Sequence, residues 1–485
     1  MTETRHFALV VLLCAAVGIV AVLSNRLTDR LRVPVPVLVL VAAAVAVRVV
    51  PPLHVPPVAT VEDAATVALV CILFDGGMHI GLRRVRSALA PIAVVGVLGT
   101  FATALGAAVL LHLAFALSWY ASLLVATAIA PTDPAVVFSV LGRREIVGRS
   151  GTILEGESGA NDPVGIALMV SLLSAGGLSG AAVGQVAGQF VLQMAVGGAI
   201  GVVGGLLLRW FITAVALPSE GLYPVRTLAC ALLLYGVGTL AHGSGFLAVF
   251  IAAIVIGDER APFKREIERF HSAVASLAEI VVFVVLGLTV DLDVLRRTEV
   301  WVPGLVVGVV VAFAVRPLLA GLCLLPARLR RNELAFVLFA GLKGAVPLLL
   351  GELMVAEHVA HAQRLYGIVV VAVVFSVLVQ GTATPWVAAL LRIPMRPVEL
   401  TPYAFGVRLR DEPSGVFRHV VDAGSRADGA AVSELALPED AWVSAVVRDG
   451  ALVQVRGDTR LEHGDDVVVL GGDGVDELLR ALFER

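Results

Sequence analysis

The sequence predicts an all-α polytopic membrane protein of about 13 transmembrane helices, followed by a small α+β cytosolic domain. The 485 residues are 58% hydrophobic and 15% charged, whereas soluble domains have about 45–50% apolar and roughly 25% charged residues. Apolar runs of about 20 residues, the length that crosses a bilayer, recur up to residue 390. Beyond Arg392 the chain becomes polar, so we predict a transmembrane domain at 1–395 and a cytosolic domain at 401–485.

Thirteen apolar runs are candidate spans. The first, Phe7 to Leu23, lacks a small-residue cleavage site, so we interpret it as a retained span and not as a signal peptide. The ninth, Phe246 to Gly257, is short enough to be a re-entrant segment. The runs centre near residues 15, 41, 69, 101, 128, 162, 196, 232, 250, 278, 313, 344 and 377.

The charges of the loops predict how the chain is oriented. Cytoplasmic loops of membrane proteins carry an excess of Lys and Arg. With the N-terminus outside, 18 of these residues fall in cytoplasmic loops and five on the external side. We therefore expect a multi-pass protein of the inner (plasma) membrane whose C-terminal domain lies in the cytoplasm. The formal net charge of −3 gives no reason to expect a nucleic-acid partner.

The C-terminal region has the pattern of a small soluble domain, with 16 Asp or Glu against 9 Lys or Arg in residues 401–485. Ser444 to Val447 and Leu452 to Val455 flank an Asp-Gly dipeptide, which is typical of a β-hairpin. Asp466 to Leu470 is predicted to be another strand. Val475 to Phe483 is predicted to be an amphipathic closing helix.

Acidic residues inside apolar runs are candidates for function, because a charge at the bilayer centre costs at least about 2.5–3.5 kcal/mol. Asp133 in the fifth span and Asp162 in the sixth are the strongest candidates. Asp75 in the third span and Ser158 in the sixth follow. The weaker candidates are Glu155, Glu279 and Glu352.

Helical spacing divides the polar residues of the sixth span into two stripes. Ser158 and Asp162 share one face, and Glu157 and Asn161 share the adjacent one. The first stripe can present a hydroxyl and a carboxylate to an ion. The second needs a donor, because a buried unpaired Glu is very costly. Arg316 stays protonated and can bind a carboxylate with two N–H groups, so we predict that it serves Glu157 and Asn161.

Two spans contain helix breakers near their middle. Pro131 and Pro134 bracket Thr132-Asp133 in the fifth span, and residues 341–347 of the twelfth contain Gly341, Gly344 and Pro347. Spans five and twelve differ by seven, so spans one to six are predicted to repeat as spans eight to thirteen, with span seven as the linker. Because seven is odd, the two halves cross the membrane in opposite directions, which is an inverted repeat. Paired broken helices in such repeats mark a transporter site at the bilayer midplane. Lys343 in the second break is either a site residue or a partner of a helix end.

These residues predict a secondary antiporter. A pair of buried carboxylates holds a monovalent cation only when it is deprotonated, so cation and proton exclude each other from one site. Rocking of the site between the two membrane faces then gives obligatory exchange without a fuel nucleotide, and we predict that the protein is not an enzyme. We predict no cofactor, since the sequence has neither a Walker A loop nor a dinucleotide fingerprint.

The motifs Thr132-Asp133-Pro134, Glu157-Ser158-x-x-Asn161-Asp162 and Arg316-Pro317 resemble those of bacterial, NhaP-like cation/proton antiporters of the sodium/proton exchanger superfamily. The resemblance covers about residues 7–395 and implies a thirteen-helix homodimer in the lipid membrane, with a dimerisation domain and a mobile core domain. It implies that one set of residues binds the cation and the proton, namely Asp133, Asp162, Ser158, the Thr132 carbonyl and Asp75. It also implies a structural network formed by Glu157, Asn161 and Arg316. Asn161 before Asp162 implies electroneutral exchange of one cation per proton. Lys343 departs from the pattern, since many relatives have arginine there.

The C-terminal region resembles the RCK C-terminal (TrkA-C) domain, on the residues from Asp440 to Gly472. This likeness implies a regulatory domain that binds a small-molecule ligand, as in the potassium/proton antiporters that regulate cell volume. It favours K+ over Na+ as the cation exchanged for H+, although Na+/H+ exchange by the same fold stays open. A gated cation channel and a membrane sensor are alternatives. No potassium-filter sequence supports the channel, and a sensor needs no charge at Asp133 and Asp162.

Overall fold

A computed structural model of the protein describes residues 35–49, 57–141, 144–146, 148–259, 261–397, 415–438, 441–448, 451–471 and 475–484, together with residue 19. Contacts divide the chain into two compact units, Met1–Glu399 and Leu400–Arg485. The predicted first span, residues 7–23, lies outside the described residues except for residue 19.

The first unit is built from helices. In chain order they are α1 (Val35–Val49), α2 (Val58–Ala93), α3 (Thr100–Phe115), α4 (Trp119–Ile129), α5 (Pro134–Leu141), α6 (Arg149–Ala175), α7 (Gly180–Ala214), α8 (Leu222–Leu240), α9 (Gly245–Gly257), α10 (Lys264–Leu288), α11 (Leu292–Leu295), α12 (Thr298–Val310), α13 (Arg316–Leu324), α14 (Arg331–Phe339), α15 (Ala345–Ala356), α16 (Ala362–Phe375) and α17 (Thr382–Leu390). Three π-helical segments, Val94–Gly99, Val311–Val315 and Ser376–Gly381, lead into α3, α13 and α17. Two short strands pair antiparallel, β1 (Arg144–Ile146) and β2 (Met395–Pro397).

The fold class is confirmed. Among the described residues, seven helical stretches are long and apolar enough to cross a membrane, and four shorter apolar helices accompany them. Each predicted span from the second to the thirteenth coincides with a helix or with a pair of helices joined at a break. The helix α2 holds the third span and the start of the fourth, and its backbone leaves the helical conformation at Gly81 (φ 66°) and Ala88. Gly81 suits this conformation because it lacks a Cβ.

The helices of the first unit form two groups. The first helix group consists of α1, α2 up to Gly81, α7, α8, α9 and α10, which pack on one another. The second helix group contains α3, α4, α6 and α12 to α16. Contacts between the groups include those of α15 with α2 and α10, and those of α6 with α9. The broken helices α4–α5 and α14–α15 belong to the second helix group. The three π-helical segments lie in apolar spans of the same group.

The second unit is a small α+β domain. Its strands are β3 (Gly415–Val420), β4 (Trp442–Arg448), β5 (Ala451–Val453) and β6 (Asp466–Gly471), in the antiparallel order β3-β6-β4-β5. A closing helix, α18 (Asp476–Phe483), contributes Leu479 and Phe483 to a core that includes Val446 and Val467. The predicted hairpin, strand and closing helix are present; β3 was not predicted.

Candidate cation site at two crossing helix breaks

The first helix break lies between α4 and α5. Helix α4 ends at Ile129 and α5 begins at Pro134, so residues 130–133 are not helical. Pro134 has no N–H with which to bond the carbonyl of Ala130, which explains why the helix cannot continue. In a membrane such freed backbone groups need partners from the protein.

The second break supplies those partners. Helix α14 ends at Phe339 and α15 begins at Ala345. The backbone N–H of Asp133 donates to the carbonyl of Leu342 at 2.8 Å. The Lys343 ammonium donates to the carbonyls of Ala130 and Pro131, at 3.2 Å each. The two breaks therefore cross and satisfy each other's backbone.

Two polar residues of the thirteenth span, Ser376 and Gln380, form hydrogen bonds with the second break. Lys343 N–H donates to Ser376 Oγ at 3.1 Å, and Ser376 donates to Gln380 Oε1 at 2.8 Å. The Gln380 amide then donates to the carbonyl of Phe339 at 3.2 Å. Sequence reasoning missed this network, although Ser376 and Gln380 are polar residues four apart in an apolar run.

The candidate ligands gather around these breaks. Asp162, Ser158 and Thr132 are buried, and Asp133 is half-buried. Asp133 and Lys343 both act electrostatically on Asp162. Gly344 makes room for the first carboxylate, because a Cβ there would lie 1.9 Å from Asp133 Oδ2. The structure thus brings the carboxylates of Asp133 and Asp162, the Thr132 hydroxyl and the Lys343 ammonium to the crossing, and Ser158 lies about one helical turn before Asp162 on α6.

Asn161 bonds to the first break. Its Nδ2 donates to Thr132 Oγ1 at 2.8 Å, while its Oδ1 is buried without a hydrogen-bond partner among the described residues. The prediction that Arg316 serves Asn161 is therefore wrong. The reason is position: the Asn161 amide reaches the Thr132 hydroxyl, and Arg316 is occupied elsewhere.

Arg316 forms a buried, two-pronged ion pair with Glu157. Nη1 lies 2.7 Å from Oε1, and Nη2 donates to Oε2 at 3.1 Å. The remaining Nε donates to the carbonyl of Leu338 at 3.2 Å. The exposed fractions of the two residues are 3% for Arg316 and 2% for Glu157. Gly341 lies under the guanidinium, since a Cβ there would be 2.1 Å from Arg316 Nε.

Asp75 lies on α2 in the first helix group, and the side-chain contacts described for it are with residues of that group. Ser272 Oγ on α10 donates to Asp75 Oδ1 at 3.1 Å. His79 Nδ1 is 2.9 Å from the carbonyl of Asp75 and 3.4 Å from its Oδ1. Glu279, also on α10, lies within the electrostatic range of Asp133, and its Oε1 is buried without a hydrogen-bond partner among the described residues. Sequence reasoning missed both contacts, although His79 follows Asp75 by four residues and so shares its helix face; no spacing signal links Ser272 to Asp75.

Phe250 of the first helix group packs against α6 at Gly159, between Ser158 and Asp162. A Cβ at Gly159 would lie 2.1 Å from the ring of Phe250, which is on α9. Gly159 stands directly after Ser158 and three residues before Asp162. The absence of a side chain at this position therefore lets the two groups meet beside the site.

The comparisons with known proteins agree with this architecture. Residues 13–390 match the family model described as "Sodium/hydrogen exchanger, transmembrane". The chain belongs to this sodium/hydrogen exchanger family and is a cation/proton antiporter. Residues 416–483 match the TrkA-C domain.

Two curated relatives and one solved structure illustrate the similarity. The K(+)/H(+) antiporter NhaP2 of Shewanella oneidensis is 31% identical over 422 residues, which cover 86% of this chain and 73% of the relative. The K(+)/H(+) antiporter NhaP of Alkalimonas amylolytica is 31% identical over 84% of this chain and 71% of its own. The structure of the sodium proton antiporter MjNhaP1 of Methanocaldococcus jannaschii matches with a TM-score of 0.65 at 20% identity, over 79% of this chain and all of that one. This last match is evidence for the fold.

Proposed function

We propose that the protein exchanges K+ for H+ across the cell membrane, with Asp133 and Asp162 as the groups for which cation and proton compete. The observation that carries this proposal is the position of both carboxylates at the crossing of the two helix breaks, with Lys343 beside them. Ser158, the Thr132 carbonyl and Asp75 complete the proposed cation ligands. Hard monovalent cations bind oxygen atoms of this kind, and a proton on either carboxylate removes one ligand charge.

The stoichiometry we propose is one cation per proton. Asn161 precedes Asp162, so the helix presents one carboxylate where two adjacent acids would present two. Exchange of one positive charge for another moves no net charge across the membrane. The Asn161 amide, which holds the Thr132 hydroxyl, and the Glu157–Arg316 pair are proposed to be structural supports of the site.

The choice of K+ rests on two similarities. The names of the relatives NhaP2 and NhaP state K(+)/H(+) antiport, and a TrkA-C domain follows the transmembrane domain. Na+/H+ exchange is the second candidate, favoured by a more distant relative, the Na(+)/H(+) antiporter NhaS2 of Synechocystis, at 25% identity.

One flux experiment tests these points together. Purified protein in liposomes is given K+, Na+, Li+ or Rb+ gradients while internal pH and membrane voltage are recorded. We expect proton movement driven by K+ in preference to Na+, at a rate that does not change when the voltage is clamped at different values. Preference for Na+ overturns the cation, and a rate that follows voltage overturns the stoichiometry. The matched control is Glu299→Gln, a change at an exposed carboxylate of α12, which should leave the flux as in the wild type.

The placement in the membrane is also a proposal. The loop charges support an external N-terminus and a cytoplasmic domain at 401–485. The similarity of this domain to TrkA-C supports a role in which it regulates exchange by binding a small-molecule ligand. Many large apolar side chains of α7, such as Leu207 and Trp210, are exposed in the monomer, which supports contact with lipid and with a second copy in a homodimer. Cross-linking in native membranes tests the dimer, and protease access to the tail in sealed vesicles tests the orientation.

A further inference from the structure

A buried carboxylate lies away from the proposed cation site, on the same helix that begins at the second break. Glu352 is on α15, seven residues after Ala345, which corresponds to about 10 Å along the helix axis. Its exposed fraction is 2%. Among the described residues its hydrogen-bond partner is the hydroxyl of Thr289, and it has no cationic partner. An ionised carboxylate in such a place loses most of its hydration without a compensating charge.

The surroundings of Glu352 form a chain of hydroxyl groups that suits either protonation state. Thr289 Oγ1 is 3.1 Å from Glu352 Oε2, 2.9 Å from the carbonyl of Leu286 and 3.1 Å from Tyr366 Oη. Tyr366 Oη is 3.1 Å from the same Leu286 carbonyl. When Glu352 is ionised, Thr289 donates to it and Tyr366 donates to Leu286. When Glu352 is protonated, it donates to Thr289, whose hydroxyl turns to Leu286, and a carbonyl accepts two such bonds.

This hydroxyl network joins the two helix groups. Leu286 and Thr289 are at the end of α10 in the first group, whereas Glu352 and Tyr366 are on α15 and α16 in the second. Movement of one group against the other must therefore break these bonds. Separation of the groups would admit water to Glu352, and water favours the ionised carboxylate. The closed boundary favours the protonated form for the same reason.

The charged group that acts on Glu352 is another carboxylate, and further acidic groups lie close to it. Glu62, on α2, acts on it electrostatically, and Asp63 and Glu357 lie close to Glu62. On α10, Glu279 precedes Leu286 by seven residues and lies towards the crossing. None of the groups that act on Glu352 in the described part of the chain is basic.

We propose that Glu352, with the hydroxyls of Thr289 and Tyr366, is a second proton-binding site at the boundary of the two helix groups. The loop-charge orientation puts this site on the external side of the proposed cation site. Protonation from that side keeps the boundary closed, and release of the proton allows it to open. The external pH then controls exchange through a residue that does not bind the transported cation. This inference rests on the proposed exchange function.

The test compares wild type and Glu352→Gln in liposomes of known orientation, with the tail as the marker of the cytoplasmic face. The flux is measured while the pH on one face is varied and the pH on the other is held constant, and then the reverse. Gln keeps the shape of the protonated side chain and cannot release a proton. We expect the dependence on external pH to flatten in Glu352→Gln, while the dependence on cytoplasmic pH stays as in the wild type.

Two substitutions at Thr289 provide a matched pair. Thr289→Ser keeps the hydroxyl and should keep the wild-type external pH profile, whereas Thr289→Val removes it at equal size and should shift the profile. Thermal melting of each variant identifies a change caused by misfolding. External profiles that superimpose for wild type, Glu352→Gln and Thr289→Val would overturn the inference while leaving the exchange function in place. Absence of exchange in the wild type would instead overturn both proposals.

Discussion

Two buried carboxylates of α6, Glu157 and Asp162, differ in how their charge is balanced. Glu157 has a dedicated partner in Arg316, with two contacts of 2.7 and 3.1 Å. Asp162, five residues later, faces another carboxylate, Asp133, and the ammonium of Lys343. Lys343 is in turn committed to the carbonyls of the first break. Among the described residues, Glu157 has one cation to itself, whereas the ammonium of Lys343 acts on Asp162 together with a second carboxylate; we call Glu157 the paired group and Asp162 the surplus group.

The difference explains how one helix can combine stability with exchange. A carboxylate that is paired with an arginine is already neutralised and does not need a bound ion. Removal of the arginine leaves a buried, uncompensated charge, which destabilises the fold. A carboxylate with surplus charge must take up a proton or a cation, since both neutralise it. The paired group anchors α6 to α13, and the surplus group is the one that we propose exchanges its ligands.

The largest effect is expected from neutralising the surplus group. Asp162→Asn keeps the size of the side chain and removes the charge for which we propose that cation and proton compete. We expect exchange to fall to the level of protein-free liposomes, while the melting temperature stays the same or rises because a buried charge is gone. The measurement is K+-driven proton flux beside a thermal melt. Flux at the wild-type level in this variant would remove Asp162 from the site.

The paired group should respond in the opposite way. Arg316→Ala leaves Glu157 buried without its partner, and such a loss costs about 3–5 kcal/mol. We expect a marked drop in melting temperature. Adding Glu157→Gln to Arg316→Ala removes the orphaned charge and should recover part of that stability, which a double-mutant cycle measures. An unchanged melt with lost transport in Arg316→Ala would show that Arg316 acts in exchange and not in support.

Lys343 combines a structural contact with an electrostatic one. Its ammonium bonds to the backbone of the first break and acts on the charge of Asp162. Lys343→Met leaves the carbonyls of Ala130 and Pro131 without a donor, which costs about 1–3 kcal/mol. Lys343→Arg keeps donors at this position and should retain more stability than Lys343→Met. Thermal melts of the two variants check the order. Equal stability of Met and Arg at this position would show that the two carbonyl bonds contribute little.

Most of the helical fold could be predicted from the sequence, because each span must be apolar and its ends are marked by charge. The breaks could be predicted as well, since prolines in the fifth span and glycines in the twelfth are direct backbone signals. The contact of Arg316 with Glu157 could be predicted because the apolar spans offer two candidate cations, Arg316 and Lys343. Arginine can bind a carboxylate with two N–H groups, which favoured Arg316.

What could not be predicted depends on tertiary contacts between distant helices. Asn161 has a helical position that fits Arg316 as well as Thr132, and only the path of the first break decides between them. Asp75 and Ser272 are 197 residues apart and meet through the packing of α2 on α10. The strand β3 was missed because its residues include Arg418 and His419, and only pairing with β6 reveals it.

The C-terminal domain contains a third buried carboxylate with a basic partner, which resembles the paired group. Asp465 is fully buried and accepts two bonds of 2.8 Å from Arg448, whose side chain is partly exposed to water. Burial alone raises the pKa of Asp465, but the hydrogen bonds from Arg448 and from the Glu462 backbone outweigh it, and the pKa lies below its ordinary value. A lowered pKa in the folded state means that the pair contributes stability above the pKa of the unfolded chain, about 4. That contribution is lost as the pH falls through the lower folded value.

The smallest effect is therefore expected from Asp465→Asn in the full-length protein. The change should lower the stability of the domain by about 1–3 kcal/mol at neutral pH, because the Arg448 guanidinium loses a buried acceptor but keeps access to water. The difference from wild type should shrink on acidification, which limited proteolysis of the tail can follow at several pH values. K+-driven flux should persist in this variant, since the surplus carboxylates of the transmembrane domain are untouched. A penalty that stays constant as the pH falls would show that Asp465 acts through packing, and the comparison with Glu157 would then rest on geometry alone.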